Sequence, residues 1–167
     1  IVPLDFLNQV TPDSFDVLEL CKFQLIDFKY APATAVCVMM APEHQDWHHT
    51  VKEYYDSKKN LFVRQSGDNR TIYNAGNEIS KEITAVSNGQ RVPYFVPPEG
   101  VSAETTVGAF VEGDNIYFEN KLVCNIEDVA LLGRHNLENA CAAIAAVWPI
   151  IEGNTDIIKQ VLQEFTG

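Results

Sequence analysis

Basic charge is scarce in this chain: 12 Lys and Arg stand against 23 Asp and Glu, a formal net charge of −11. No cluster of Lys and Arg is dense enough to track phosphates along a duplex, which argues against nucleic acid as a partner. Long apolar runs are missing too. None approaches the roughly 20 residues that a membrane-spanning helix needs, so no membrane role is expected. Cysteine is sparse and scattered, at 21, 37, 124 and 141, with no Cys-x-x-Cys pair. Cys37 falls in an apolar run and Cys141 on an apolar helix face, so the thiols read as small packed hydrophobes in a cytoplasmic protein rather than as a disulfide or zinc framework. There is no internal repeat and no low-complexity tract. There is also no Gly-x-x-Gly-Lys-Ser/Thr segment to cradle phosphates. The first residue is Ile1 rather than Met, which reads as a processed chain or a piece of a longer one.

What is present suits a single domain, 1–167, long enough for a proper core. Short apolar runs at 15–20 and 34–40 predict buried strands, and 70–73 and 92–96 predict two more. Segments of helical periodicity lie between or beside them: 23–30 as a short helix or turn, 50–62 and 78–86. Ser66-Gly67-Asp68-Asn69 reads as a turn, and Pro97-Pro98-Glu99-Gly100 as a rigid loop. Glu112-Gly113-Asp114-Asn115 carries a hairpin signal, which makes 92–125 an antiparallel appendage. From Gly133 the pattern turns helical. Leu137, Ala140, Cys141, Ile144, Val147, Trp148 and Ile151 form one stripe that Pro149 kinks or ends, and Thr155 caps a last helix. Alternating strands and helices over the first hundred residues predict an α/β fold with a mostly parallel sheet flanked by helices, in which 16–20 and 34–40 are parallel neighbours or near neighbours.

The chemistry-bearing stretch is Pro42-Glu43-His44-Gln45-Asp46-Trp47-His48, directly after the 34–40 run. A strand that ends in acids and histidines delivers them to the C-terminal edge of a sheet, where open α/β folds place their ligands. Lys58 lies about two turns into the helix that follows. Glu19 sits near the end of the preceding run, where it is either solvated at the sheet edge or recruited to a site. Glu19 and His44 on neighbouring strand ends can reach one cation. Mg²⁺ prefers oxygen ligands, so a carboxylate with phosphate oxygens is its ordinary environment. Lys58 as an ammonium cannot ligate a cation; it is a solvated helix lysine, a phosphate partner, or, if carbamylated, an anion.

Several segments resemble a known family in its order. Glu-His-x-Asp-x-His at 43–48 followed by Tyr-x-x-x-Lys at 54–58 resembles a segment of the Mur ligases, the ATP-dependent amino-acid ligases of bacterial cell-wall synthesis. Val17-Leu18-Glu19-Leu20 with Phe23-Gln24-Leu25, the Tyr73-Asn74-Ala75 strand end, and Gly133-Arg134-His135-Asn136-Leu137-Glu138-Asn139-Ala140 are similar to further motifs of that family. The Phe-Gln-Leu after Glu19 favours the D-glutamate-adding branch. The resemblance implies an ATP- and Mg²⁺-dependent enzyme acting on UDP-N-acetylmuramoyl-L-alanine and D-glutamate in the cytoplasm. A substrate carboxylate would become an acyl phosphate that the amine displaces. It implies Glu19, His44 and Lys58 as the metal site, with Lys58 carbamylated and Lys58 and His44 catalytic. It implies Asn136 and Asn139 facing the adenine with His135 beside them.

The same resemblance marks departures. Cys21-Lys22 replaces a Ser-Ser, Met39-Met40 replaces the Asn usual before the histidine motif, and Glu43 stands for Asp. It also implies that the phosphate-binding loop lies upstream of Ile1 and a further domain beyond Gly167. The chain would then be the greater part of a central ATP-binding domain, inactive alone, and its bared surface would invite self-association. Two other readings stay open: a sister Mur ligase or folylpolyglutamate synthase-like enzyme adding a different amino acid, and a ligase-like module that binds without catalysis.

Overall fold

The computed structural model describes residues 8–41, 51–101 and 106–167. One six-stranded sheet runs through it in the order β1 (Thr34–Cys37), β2 (Ser66–Asn74), β3 (Asn88–Phe95), β4 (Ala109–Glu112), β5 (Asn115–Phe118), β6 (Lys121–Asn125). The first four strands are parallel, and β4, β5 and β6 continue as antiparallel hairpins. A parallel pair needs a crossover, and helices α2 (Val51–Lys59) and α3 (Glu78–Thr84) supply the first two. A four-residue helix, α1 (Lys22–Leu25), precedes the sheet; α4 (Arg134–Val147) and α5 (Thr155–Glu164) follow it.

The alternation of side chains along a strand explains the two layers. Ala35 and Cys37 on β1 pack with Phe62 and Ile83 on the α2–α3 side. Val36 between them, with Ile72, Tyr94 and Ile116, meets the apolar stripe Ala140, Cys141, Ile144 and Ala145 of α4 on the other side. Both faces of the parallel part are therefore covered. Gly108 lets β4 come in beside β3. Its φ is +74°, and a Cβ there would run into the Pro93 carbonyl oxygen.

The expected α/β architecture with a mostly parallel sheet is found, with four corrections. The 15–20 run forms no strand. Its residues join no ladder, and Phe15, Val17 and Leu18 are exposed, Val17 at 94%. Apolar, β-branched character makes a strand only where a partner edge supplies hydrogen bonds. Here β1 pairs with β2 on one side, and its other edge is unpaired among the described residues. The expected parallel pairing of 16–20 with 34–40 is therefore absent, and β2 is the partner of β1.

The antiparallel part is not an appendage but the continuation of the same sheet, and 88–95 belongs to its parallel half. The 66–69 turn is present as a bulge within β2, which pairs at Ser66 and again from Arg70; the Asn69 side chain accepts the Ser66 N–H at 3.0 Å. The last helix is capped by Asn154 rather than Thr155, its Oδ1 accepting from the Asp156 and Ile157 N–H groups.

Candidate functional site

The C-terminal ends of β1, β2 and β3 meet the N-terminal turns of α3 and α4, and side chains there form a continuous polar cluster. Asn74, buried at the end of β2, accepts the Gly76 N–H at 2.8 Å through its side chain and donates its backbone N–H to Ser80 Oγ at 3.1 Å. Ser80 Oγ in turn donates to the Cys37 carbonyl at 3.2 Å, so β1 and β2 are joined through α3. Asn77 caps α3 by accepting from the Ser80 N–H, and its Nδ2 reaches the Met40 carbonyl at 2.9 Å. The Tyr94 hydroxyl of β3 lies 3.5 Å from the Cys37 carbonyl, and burial pushes its phenol far above the ordinary range.

From the other face, Glu138 of α4 enters the cluster. Its Oε2 accepts from Asn74 Nδ2 at 3.4 Å and its Oε1 from Arg134 Nε at 3.2 Å. Arg134 also donates through Nη1 to the Pro97 carbonyl at 2.8 Å and through Nη2 to the Val96 carbonyl. Helix α4 begins at Gly133, whose φ of +100° suits glycine and whose missing side chain supplies no cap. Asn136 bonds back to the segment before the helix instead: its Nδ2 donates to the Leu132 carbonyl at 2.8 Å. A carbonyl can only accept, so this bond fixes the amide's orientation and leaves Oδ1 as an acceptor.

The candidate residues divide accordingly. Asn136, Asn139 and His135 share the first two turns of α4; Asn136 is half-buried, while Asn139 and His135 are exposed. Their grouping suits the edge of an adenine base, which presents both donors and acceptors. Lys58 lies half-buried in the second half of α2, its ammonium 5.0 Å from the centre of the Tyr54 ring. It is near enough to β1 that, although burial pushes the Cys37 thiol up, the Lys58 charge draws it partly back. Its neighbour Lys59 is instead tied to Asp56 at 3.1 Å and Glu82 at 3.3 Å. Glu19 is exposed in the unpaired 14–20 segment, and His44 lies outside the described residues.

Among the described residues, no three His, Cys, Asp or Glu gather to hold a cation. The described residues thus bring Asn136, Asn139 and His135 together on α4 and assemble no metal-ligand set. Arg134, Glu138 and Ser80 were not singled out from the sequence. Asn74 was visible only within a motif, and a buried Asn at a strand exit followed by Gly76 is the signal that could have marked it. No helix among the described residues is long and apolar enough to cross a membrane.

Residues 6–147 match the model of the Mur ligase middle domain. Similar proteins carry the name UDP-N-acetylmuramoylalanine--D-glutamate ligase, among them those of three bacteria. That of Acetivibrio thermocellus is 34% identical over 157 residues, covering 90% of this chain and 32% of that protein. That of Clostridium beijerinckii is 32% identical over 151 residues, covering 90% and 31%. That of Clostridium kluyveri is 29% identical over 161 residues, covering 96% and 34%. The chain thus spans about a third of the length of these relatives. The match to the family model over most of the chain, on a mostly parallel sheet with the Gly133–Asn139 turn set at its strand exits, means that the chain belongs to the Mur ligase middle-domain family.

Proposed function

We propose that this chain is the nucleotide-binding middle part of a cytoplasmic, ATP- and Mg²⁺-dependent ligase that adds D-glutamate to UDP-N-acetylmuramoyl-L-alanine in peptidoglycan synthesis. The observation that carries the reading is the start of α4, where Asn136 and Asn139 stand together beside the exits of the parallel strands. Asn136 Oδ1 accepts from the exocyclic amine of the base, because its Nδ2 is held by Leu132. Asn139, one turn on and exposed, offers a second amide to the same edge, and His135 flanks them.

When bound, ATP supplies the phosphoryl group that activates the substrate carboxylate for attack by the amine. The residues assigned to the metal are Glu19, His44 and Lys58, with Lys58 carbamylated to serve as an anion. The described residues assemble no ligand set, so these three carry no catalytic step in the reading. The relatives' printed name favours D-glutamate over another amino acid, and Phe23-Gln24-Leu25 after Glu19 is the feature of this chain that points the same way. The chain alone is expected to be inactive, because no glycine-rich loop with its lysine is present to hold phosphates.

The test is ADP release by the full-length protein given UDP-N-acetylmuramoyl-L-alanine, Mg-ATP and one amino acid at a time. Release with D-glutamate alone is expected. Release driven by another amino acid would place the protein with a sister ligase, and none with any amino acid would favour a non-catalytic module, the reading to which Cys21-Lys22 lends weight.

A further inference from the structure

We infer that Arg134 is a positioning residue for the nucleotide's base, a fork that holds the first two turns of α4, and with them Asn136 and Asn139, at a set place over the strand exits. The inference rests on the reading of those two amides as the adenine face.

Leu137 and Ala140 pack the inner side of that turn onto the core, and its entry and outer side are held by polar contacts. Gly133 at the N-cap has no side chain to bond the first free N–H groups, and among the described residues the Asn136 amide bonds back to Leu132, within its own turn. Leu132, just before the helix, is 87% exposed and adds no packing there. Arg134 ties the outer side of the turn to the β3 exit, as Glu138 ties it to the β2 exit. Its Nη1 and Nη2 donate to the successive carbonyls of Pro97 and Val96, which leave the ladder where β3 ends. Its Nε donates to Glu138, which is itself bonded to Asn74 at the end of β2. One planar guanidinium therefore joins the β3 exit to α4, and through Glu138 to the β2 exit.

A lysine ammonium is a point donor on a flexible stem and cannot fill this fork geometry. The Arg134 side chain is 47% exposed against 13% for Glu138, so the ion pair is partly screened and its value lies in geometry rather than in raw attraction. Misplacing a binding group by about 1 Å is enough to weaken a site strongly. Asn136 and Asn139 would lose their common edge if the turn drifted.

The full-length protein and its R134A and R134K variants test this by titration with ATP and with AMP, together with steady-state kinetics. R134A should weaken both nucleotides by the same factor, on the order of tenfold, raise the KM for ATP alike and leave kcat within about twofold. R134K should fall between R134A and the parent. A folded R134A with ATP affinity within about twofold of the parent would overturn the inference, leaving Arg134 merely structural. So would a loss confined to ATP, which would make the guanidinium a phosphate ligand. If R134A shows no cooperative melt, R134K decides: weaker binding of both nucleotides sustains the inference, and unchanged binding overturns it. A parent protein that binds both nucleotides yet releases no ADP with any amino acid would sink the ligase reading alone. One that binds neither would remove the adenine face and the positioning role with it.

Discussion

Asn74→Asp puts a charge where the strand exits are most closely connected, and its effect can be worked from the distances. The new carboxylate would keep one oxygen for the Gly76 N–H, bonded at 2.8 Å in the parent. Its second oxygen would replace Nδ2, about 3.4 Å from Glu138 Oε2. Two unit charges at that separation repel by about 5 kcal/mol at an effective dielectric of about 20. Protonation offers an escape. Holding an acid of ordinary pKa near 3.9 protonated at pH 7 costs about 4 kcal/mol, at about 1.36 kcal/mol per unit. The lower figure sets the ceiling, and Arg134 on the far oxygen of Glu138 reduces it further, so a loss of about 2–4 kcal/mol at pH 7 is expected. The sign follows from linkage. Folding raises the pKa of the new carboxyl, so the loss is absent below about pH 4. It grows by about 1.4 kcal/mol per pH unit above that, until the raised pKa is passed. At low pH the protonated acid can also donate to Glu138 as the amide does. Asn74→Ala, which loses the Gly76 bond and the Glu138 contact without adding charge, should cost about 1–2 kcal/mol with little dependence on pH. Urea unfolding followed by the fluorescence of Trp148, which stacks on Phe118 at 4.3 Å, gives both numbers at pH 5 and pH 7. Equal penalties for Asn74→Asp at the two pH values would show that Asn74 and Glu138 do not face each other.

Two further outcomes are expected. Gly108→Ala should prevent β4 from docking, because its Cβ would run into the Pro93 carbonyl in a backbone conformation with φ +74°; a loss above about 3 kcal/mol in unfolding free energy is expected, and a change under about 1 kcal/mol would contradict the register of β3 and β4. Thiol labelling at pH 8 should find one fast group, the exposed Cys21, and three slow ones. Burial pushes Cys124 up to about 11 and Cys37 and Cys141 up as well, so a second fast thiol in the native protein would mean that the core is open.

Two strands of the parallel half, β1 and β2, could be read from the sequence because their signals are local. β-branched and apolar runs bounded by Pro and Asn mark β1 and β2, and the α4 stripe from Leu137 to Val147 repeats with helical period. The same signals mislead at 15–20, where Phe15, Val17 and Leu18 have strand character in the chain and no ladder in the fold. Composition records what a residue can do once it has a neighbour, and the neighbour is a tertiary fact. The polar cluster was hidden for a related reason. Arg134 and Glu138 look like an ordinary surface pair four residues apart, and nothing local reveals that one reaches the Val96 and Pro97 carbonyls and the other a buried Asn74. The residues that bond the strand exits together thus carry weaker sequence signals than those proposed to meet the ligand. Asn136 and Asn139 stand out by motif, while the groups that hold them are apparent only once β2, β3 and α4 are placed side by side. If that division of labour holds, substitutions at Arg134, Glu138 and Asn74 should be coupled rather than additive: Arg134→Ala combined with Asn74→Ala should weaken nucleotide binding by less than the product of the single effects, because each already breaks the one link that runs from Asn74 through Glu138 to Arg134. A simple product of the two would mean that the fork and the Asn74 contact act independently, and that Glu138 does not transmit between them.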